Sequence, residues 1–519
     1  MDRAPSRWRA LAEYRHLRTL GTPGPQTYPH HRRTEKAIPT MSSPEPWAAA
    51  TTQIHAGYTA GVAQNTAVVP IYQSTAYEFE SFADAAEIFA LRKTGNLYSR
   101  TGNPTNAALE ARIAALDGGI GALATGSGQS AVALALLALV RTGQHIVASS
   151  QLYGGSVDLL EDTFSDFGID VTFADPRNPD AWAAATTDNT RAFFVESIGN
   201  PVASVPDLLA LSEIAHAQNI PIIVDNTIAT PYLLKPLDFG ADIVVYSATK
   251  FLGGHGNSLA GVIVDGGTFD FGAHPERWPQ FTAVSRRFGG IVFWDHFGRD
   301  GSAYLAYTKA KLSHDLGPAL SPFNAFLILQ GVETLDIRLQ KQTDTAFDIA
   351  RRLAAHPGVA RVHHPSLPDH PDHARAAHYL PRGAGSVFAF DLKVPANGPA
   401  EGGAGEGGAD ASAATIAHVG AFIDRLHLFK LVANIGDVRS LVVHPATTTH
   451  SRLTPEQRTT AGFSLSTIRL SVGLEAPAEL WADLEQALAH IADENTPAAG
   501  HRAGASTPAP PAPTVEVTR

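Results

Sequence analysis

Between about Ile120 and Gly267, short apolar or β-branched runs recur: Ala122–Ala124, His145–Ala148, Val171–Phe173, Ala192–Val195, Ile220–Val224, Ile243–Tyr246 and Leu259–Val264. Each is too short for a helix, and turn-forming residues flank most of them. Helical stretches such as Leu208–Gln218 separate several. Near-continuous apolar strands joined by helical crossovers predict a mostly parallel sheet covered on both faces. The run Ala131–Val140 is apolar on all sides and predicts a buried helix. It is far shorter than the ~20 residues of a membrane span. Residues 268–315 are less regular and rich in aromatics, and a helical pattern returns over Asn324–Leu339. The Gly/Ala/Pro-rich stretch Pro395–Ala414 has no packable pattern and predicts a flexible loop.

Length and charge narrow the function classes. A chain of 519 residues can hold two or three domains. A formal charge of −11 argues against an extended nucleic-acid surface or an anionic-membrane surface. With no cysteine, disulfides, cysteine-ligated metals and thiol catalysis are excluded. This fits a reducing compartment, and a cytoplasmic location is expected. Residues 1–40 are Arg-rich and hold several prolines, with no apolar stretch for a secretory signal. They read as an upstream extension, and Met41 is an alternative start.

A parallel sheet places its ligands beyond the carboxyl ends of its strands. The run Ile220–Val224 ends in Asp225-Asn226-Thr227, and Ile243–Tyr246 ends in Ser247-Ala248-Thr249-Lys250. On one rim, these supply a carboxylate, an amine and hydroxyls. Taken singly, Lys250 reads as a solvated lysine and Asp225 as a turn residue. Together they are what pyridoxal 5'-phosphate (PLP) needs. A lysine forms a Schiff base with its aldehyde, and a carboxylate keeps the pyridine nitrogen protonated. Hydroxyls and backbone N–H groups take the phosphate. Gly253-Gly254-His255-Gly256 lets the chain come close to a ligand.

Other segments extend this set. Gly126-Ser127-Gly128-Gln129-Ser130 opens the buried helix and offers N–H groups to a phosphate. Gly126-x-Gly128-x-x-Ala131 also matches a dinucleotide fingerprint, but the next strand ends in Ser149-Ser150-Gln151, without the acid that motif needs. Tyr153 in Tyr153-Gly154-Gly155 is placed to stack on a pyridine ring; the alternative is a core tyrosine. Asn200-Pro201 follows another strand, where Asn200 could bond the phenolic oxygen of PLP; the alternative is an ordinary Asn-Pro turn. The histidines at 363, 364, 370, 373 and 378 fit no compact metal-ligand spacing, so no metal is expected.

The motifs YSRTGNPT (98–105), ATGSGQSA (124–131), QLYGG (151–155), ESIGNP (196–201), VDNT (224–227), YSATKFLGGHG (246–256), LSPFNAFLILQGVETL (320–335), SLVVHPATTTH (440–450) and IRLSVGLE (468–475) resemble the Cys/Met-metabolism PLP-dependent enzymes. The resemblance runs from about Thr52 to Leu488. HAGY (55–58), VPIYQSTAY (69–77), the 268–315 segment and Arg439 before Ser440 are similar to the O-acetylhomoserine sulfhydrylase branch. The resemblance implies an aspartate-aminotransferase-type (fold type I) α/β architecture. It has a mostly parallel seven-stranded sheet and a smaller α+β C-terminal domain. Expected boundaries are a disordered extension at 1–40, an arm at 41–104, a PLP-binding domain at 105–316, a C-terminal domain at 317–495 with its insert at 395–414, and a disordered tail at 496–519.

Carried over residue by residue, the resemblance implies that Lys250 carries PLP and moves protons, and that Asp225 pairs with the ring nitrogen. Tyr153 stacks on the ring. Gly128, Gln129, Ser247 and Thr249 bind phosphate. Tyr98 and Arg100 reach the phosphate of a neighbouring subunit, so a homodimer or homotetramer would share its sites. Arg469 binds the substrate carboxylate, with Asn200 and Ser440 nearby. The implied reaction is γ-replacement, O-acetylhomoserine plus sulfide to homocysteine plus acetate. Alternatives are cystathionine γ-synthesis, a γ- or β-lyase, use of O-succinylhomoserine or O-acetylserine, or a binding protein of the same fold without activity.

Overall fold

The computed structural model of the chain describes residues 47–60, 65–93, 95–298, 302–394 and 409–494. The expected extension at 1–40, the tail at 496–519 and most of the 395–414 insert lie outside them. Each of the seven apolar runs contributes a strand: β1 Gly121–Thr125, β2 His145–Ser149, β3 Asp170–Ala174, β4 Thr190–Glu196, β5 Ile222–Asp225, β6 Ile243–Tyr246 and β7 Gly261–Asp265. They form one sheet in the order β1-β7-β6-β5-β4-β2-β3. The pairs from β3 to β6 are parallel, while β7 runs antiparallel to both β6 and β1.

The near-continuous apolar character of β2 and β4 to β7 follows from burial on both faces. Two hydrophobic clusters flank the sheet. Val147, Phe193, Val195, Val224 and Val244 point to one. Ile146, Ala148, Phe194, Ile223 and Val245 point to the other. The alternation is the strand period of two. The helix Gly128–Leu137 packs in the second cluster and begins in a capping box, with Ser127 and Ser130 bonding each other's backbone N–H. The aromatic 268–315 stretch lies over that helix. Phe271, Trp278, Phe281 and Tyr304 pack together, and Tyr304 Oη donates to Ala135 O at 2.9 Å.

A second sheet is built from β8 Val359–His363, β9 Val387–Leu392, β10 Lys430–Leu431, β11 Leu441–Val443 and β12 Thr467–Ser471, in the order β10-β11-β12-β9-β8. Residues from Ala48 onward, with both sheets, group as one compact unit. Two expectations are corrected. The pattern over Asn324–Leu339 resolves into two helices, Pro322–Val332 and Leu335–Ala355, broken at Glu333-Thr334. There Arg338 Nη2 donates to Gly331 O, drawing on a carbonyl where the first helix ends. The loop expected to run to Ala414 instead gives way to a helix over Ala409–Asp424. Its alanines are strong helix formers once Val419 and Phe422 have a core to enter. No described helix is long and apolar enough to cross a membrane.

Candidate active site

Parallel pairing of β5 with β6 brings Asp225 opposite Val245, and pairing of β4 with β5 brings Glu196 opposite Asp225. The residues that follow these strands therefore share one rim. A pocket opens there, lined among others by Gly128, Gln129, Tyr153, Glu196, Asn200, Asp225, Ser247, Thr249, Lys250, Asn434 and Arg469. The large sheet supplies most of this wall. Asn434 and Arg469 come from the second sheet and its loops.

Each wall residue is held locally. Asp225 Oδ1 accepts from Thr227 N at 2.9 Å, and Thr227 Oγ1 accepts from Ser247 N at 2.8 Å. This stitches the ends of β5 and β6 together. Burial pushes the Asp225 carboxyl up to about 6 against its hydrogen bonding to Thr227. A cationic partner in the pocket would draw it back to the charged form. The Lys250 amine donates to Asn434 Oδ1. Burial, then the nearby Arg469 guanidinium, lowers it to about 8. Arg469 is buried; its Nη1 donates to Asn200 Oδ1 at 3.1 Å and its Nη2 to Asn434 O at 3.2 Å. Its Nε is buried without a partner, and burial lowers the guanidinium to about 10. A cation held this way is suited to a carboxylate ligand.

At the Gly128 end of the pocket, backbone comes close. A Cβ on Gly128 would lie 2.5 Å from Ser247 Cβ, so only glycine lets the helix N-terminus come this near β6. The Gln129 side chain donates to Gly155 O at 2.8 Å and ties this helix to the Tyr153 loop. The Thr249 hydroxyl is engaged with the backbone of Ala260, while the residue still lines the pocket. Amine, carboxylate, cradling glycine and orphan guanidinium donor together fit PLP and an amino-acid carboxylate.

Tyr98 and Arg100, expected to reach a neighbouring subunit's site, do not line this chain's own pocket. Tyr98 is exposed, with the Arg100 guanidinium 5.3 Å from its ring centroid, and Arg100 Nη1 donates to His314 O. Ser440 is also absent from the lining. Its N–H and hydroxyl donate to the Glu475 carboxylate, and its Oγ accepts from Gly473 N. With those groups engaged, Ser440 stays out of the pocket wall, and Asn434 stands there instead. Asn434 was missed in the sequence because no strand pattern or charge marks it; its signal is its place within ANIGDVRSL, six residues before Ser440. Glu196 carried no expected role although it opens ESIGNP. Among the described residues no group of three or more His, Asp or Glu is arranged to hold a metal. In the histidine segment, His363 pairs with Asp391 and His364 packs against Phe347 and Phe388.

Fold and site together define a PLP-dependent enzyme of fold type I. Comparison with known proteins then specifies it: the profile of Cys/Met metabolism PLP-dependent enzymes matches residues 50–489, and the chain belongs to that family. It is 43% identical over 457 residues to the O-acetyl-L-homoserine sulfhydrylase of Leptospira meyeri, covering 87% of this chain and 98% of that one. It is 40% identical to the homocysteine synthase of Schizosaccharomyces pombe, over 84% and 97% of the two chains. Among solved structures, a Campylobacter jejuni protein described as an O-acetylhomoserine (thiol)-lyase superposes with a TM-score of 0.79 at 33% identity. It covers 85% of this chain and 100% of its own, and carries a pyridoxyl-lysine monophosphate.

Proposed function

We propose that this enzyme converts O-acetylhomoserine and sulfide to homocysteine and acetate. The observation that carries the reading is the pairing, in one pocket, of the Lys250 amine with the Arg469 guanidinium, in a chain 43% identical to an O-acetyl-L-homoserine sulfhydrylase. When bound, PLP supplies an electron sink for charge developing at the substrate. Lys250 would hold it covalently, Asp225 would face its ring nitrogen, Tyr153 would cover its ring, and Gly128, Gln129, Ser247 and Thr249 would surround its phosphate.

Arg469 grips the substrate carboxylate and fixes Cα beside Lys250. Released when the substrate's own amine displaces it, the Lys250 amine takes the Cα proton, passes it on and then takes a Cβ proton, so that acetate leaves from Cγ. Hydrosulfide forms the new C–S bond at Cγ, and Lys250 returns the protons. An amine lowered to about 8 is near the pH at which it can both take and give protons. Asn434 accepts from Lys250 on one side and from Arg469 on the other. It thus ties proton transfer to carboxylate binding.

We further assign Tyr98 and Arg100 to the site of a second copy, in a cytoplasmic homodimer or homotetramer. Their position outside this chain's own pocket, with Tyr98 exposed, supports that assignment. The deciding assay incubates PLP-loaded protein with O-acetylhomoserine and sulfide, with O-succinylhomoserine and with cysteine as parallel alternatives. Homocysteine from the acetyl ester and sulfide is expected. Cystathionine, or ketobutyrate without sulfur incorporation, as the main product would move the enzyme to the synthase or lyase reaction. Lys250→Ala is expected to lose both turnover and the PLP–lysine absorbance; wild-type activity in it would overturn the mechanism.

A further inference from the structure

Glu196 is a buried acid within the pocket wall for which the proposed reaction has no use. It ends β4 directly opposite Asp225. Its Oε1 accepts from Tyr153 N at 2.6 Å, and it also takes a backbone hydrogen bond from Asn200. Those two segments carry the tyrosine that faces the PLP ring and the amide that accepts from Arg469 Nη1. From the opposite side His450 braces the same loops, its Nε2 3.3 Å from Leu152 O and its ring also bonded to the Asn200 backbone. A Cβ on Gly154 would lie 2.0 Å from Thr449 O, so the Tyr153 loop is closely confined between Glu196 and the 449–450 segment.

We propose that Glu196 is a positioning residue: as a hydrogen-bond acceptor rather than a counter-ion, it fixes the main chain of Tyr153 and Asn200, and through them the ring pose and the aim of Arg469. This rests on the reading of the pocket as the PLP and carboxylate site. The acceptor role has a physical reason. Two backbone N–H groups converge on one carboxyl, and a second anion beside Asp225 would compete with it for the ring nitrogen's charge. Burial, then Asp225, pushes the Glu196 carboxyl well above the ordinary carboxylate range, while the Tyr153 and Asn200 N–H groups and the Arg469 guanidinium pull the other way.

The test uses PLP-loaded full-length enzyme and two readouts. One is the visible circular dichroism of bound PLP, which reports its pose without turnover. The other is the separate measurement of kcat and KM for O-acetylhomoserine. Glu196→Ala removes the acceptor. It should weaken the PLP dichroism and raise KM roughly tenfold, the loss expected for one to two hydrogen bonds at a buried hub. Glu196→Gln keeps an acceptor oxygen without the charge and should stay within about threefold of wild type on both readouts. Should the alanine variant fail to fold, Glu196→Asp, which withdraws the acceptor by one methylene, should show the same direction of change in dichroism and KM. Wild-type dichroism and KM in Glu196→Ala or Glu196→Asp would overturn the proposal. Damage in Glu196→Gln equal to that in Glu196→Ala would overturn it in favour of a counter-ion. A wrong sulfur nucleophile would instead alter the wild-type product and leave the ordering of the dichroism intact.

Discussion

Two cations stand in one pocket, and burial comes first in lowering both. Lys250 is lowered to about 8 first by burial and then by Arg469. Only the neutral amine attacks the PLP aldehyde. In cofactor-free protein, the rate of PLP attachment should therefore rise with pH and level off above about 8, well below the 10.5 of an ordinary lysine. Replacing Arg469 with Gln removes a like charge, so that midpoint should move upward. Stopped-flow absorbance at a series of pH values reads both. The opposite movement would mean that Arg469 does not face the amine. Arg469→Lys keeps the charge but loses the planar fork. KM for O-acetylhomoserine should rise about tenfold or more with a smaller change in kcat. At this scale the sequence was informative where chemistry is rare. A lysine and an acid after strands could be picked out from the chain itself, and an arginine through family resemblance. Asn434 and Glu196 could not, because an amide and an acid acquire these roles only through what folds against them.

The Gly128–Leu137 helix shows how an element is built to meet a ligand. Ser127 and Ser130 cap it, and the glycine at its first position allows the approach to Ser247. Gly128→Ala forces a Cβ to within 2.5 Å of Ser247 Cβ, and the helix must retreat. PLP affinity, measured by equilibrium titration, should fall roughly tenfold while the far-UV dichroism is kept. Unchanged affinity would remove this helix from the phosphate site. Strands were legible because burial on both faces leaves unbroken apolar runs. The antiparallel course of β7 was not, since apolar content is the same in either direction. The break at Glu333-Thr334 was also hidden: both halves keep a helical pattern, and Arg338 bonds across the junction only in the folded chain.

Beneath the pocket, a buried polar chain links several elements of the molecule. Ser197 Oγ donates to Asn226 Oδ1 at 2.7 Å, Asn226 Nδ2 donates to Tyr246 Oη, and Tyr246 Oη donates to the Asp117 carboxylate at 2.7 Å. Burial pushes Asp117 up to about 7 against that hydrogen bond. A carboxyl raised on folding binds its proton more tightly in the native state. The stability it contributes is present at acid pH and is lost as pH rises through about 7. Asp117→Asn should therefore raise the melting temperature above pH 7 relative to wild type, and do so less, or not at all, in acid. A shift independent of pH would show that Asp117 is not titrating there. The shared-site assignment makes a prediction at the scale of the assembly. Lys250→Ala and Arg100→Ala subunits should each be inactive alone. Mixed and re-equilibrated, they should recover roughly a quarter of wild-type activity through one intact site per mixed dimer. No recovery would place Arg100 outside the neighbouring site.

Patterning along the chain was enough to specify the seven strands of the large sheet, their helical crossovers and the rim on which Asp225 and Lys250 stand. Those follow from local periodicity and from the rule that parallel strands carry ligands at their carboxyl ends. Only the folded molecule placed Asn434 between Lys250 and Arg469. It also turned Ser440 inward to Glu475. Such contacts join residues from 35 to 184 positions apart, where no period or spacing in the chain carries the information. They are fixed only when burial and hydrogen-bond satisfaction are resolved for the whole molecule at once.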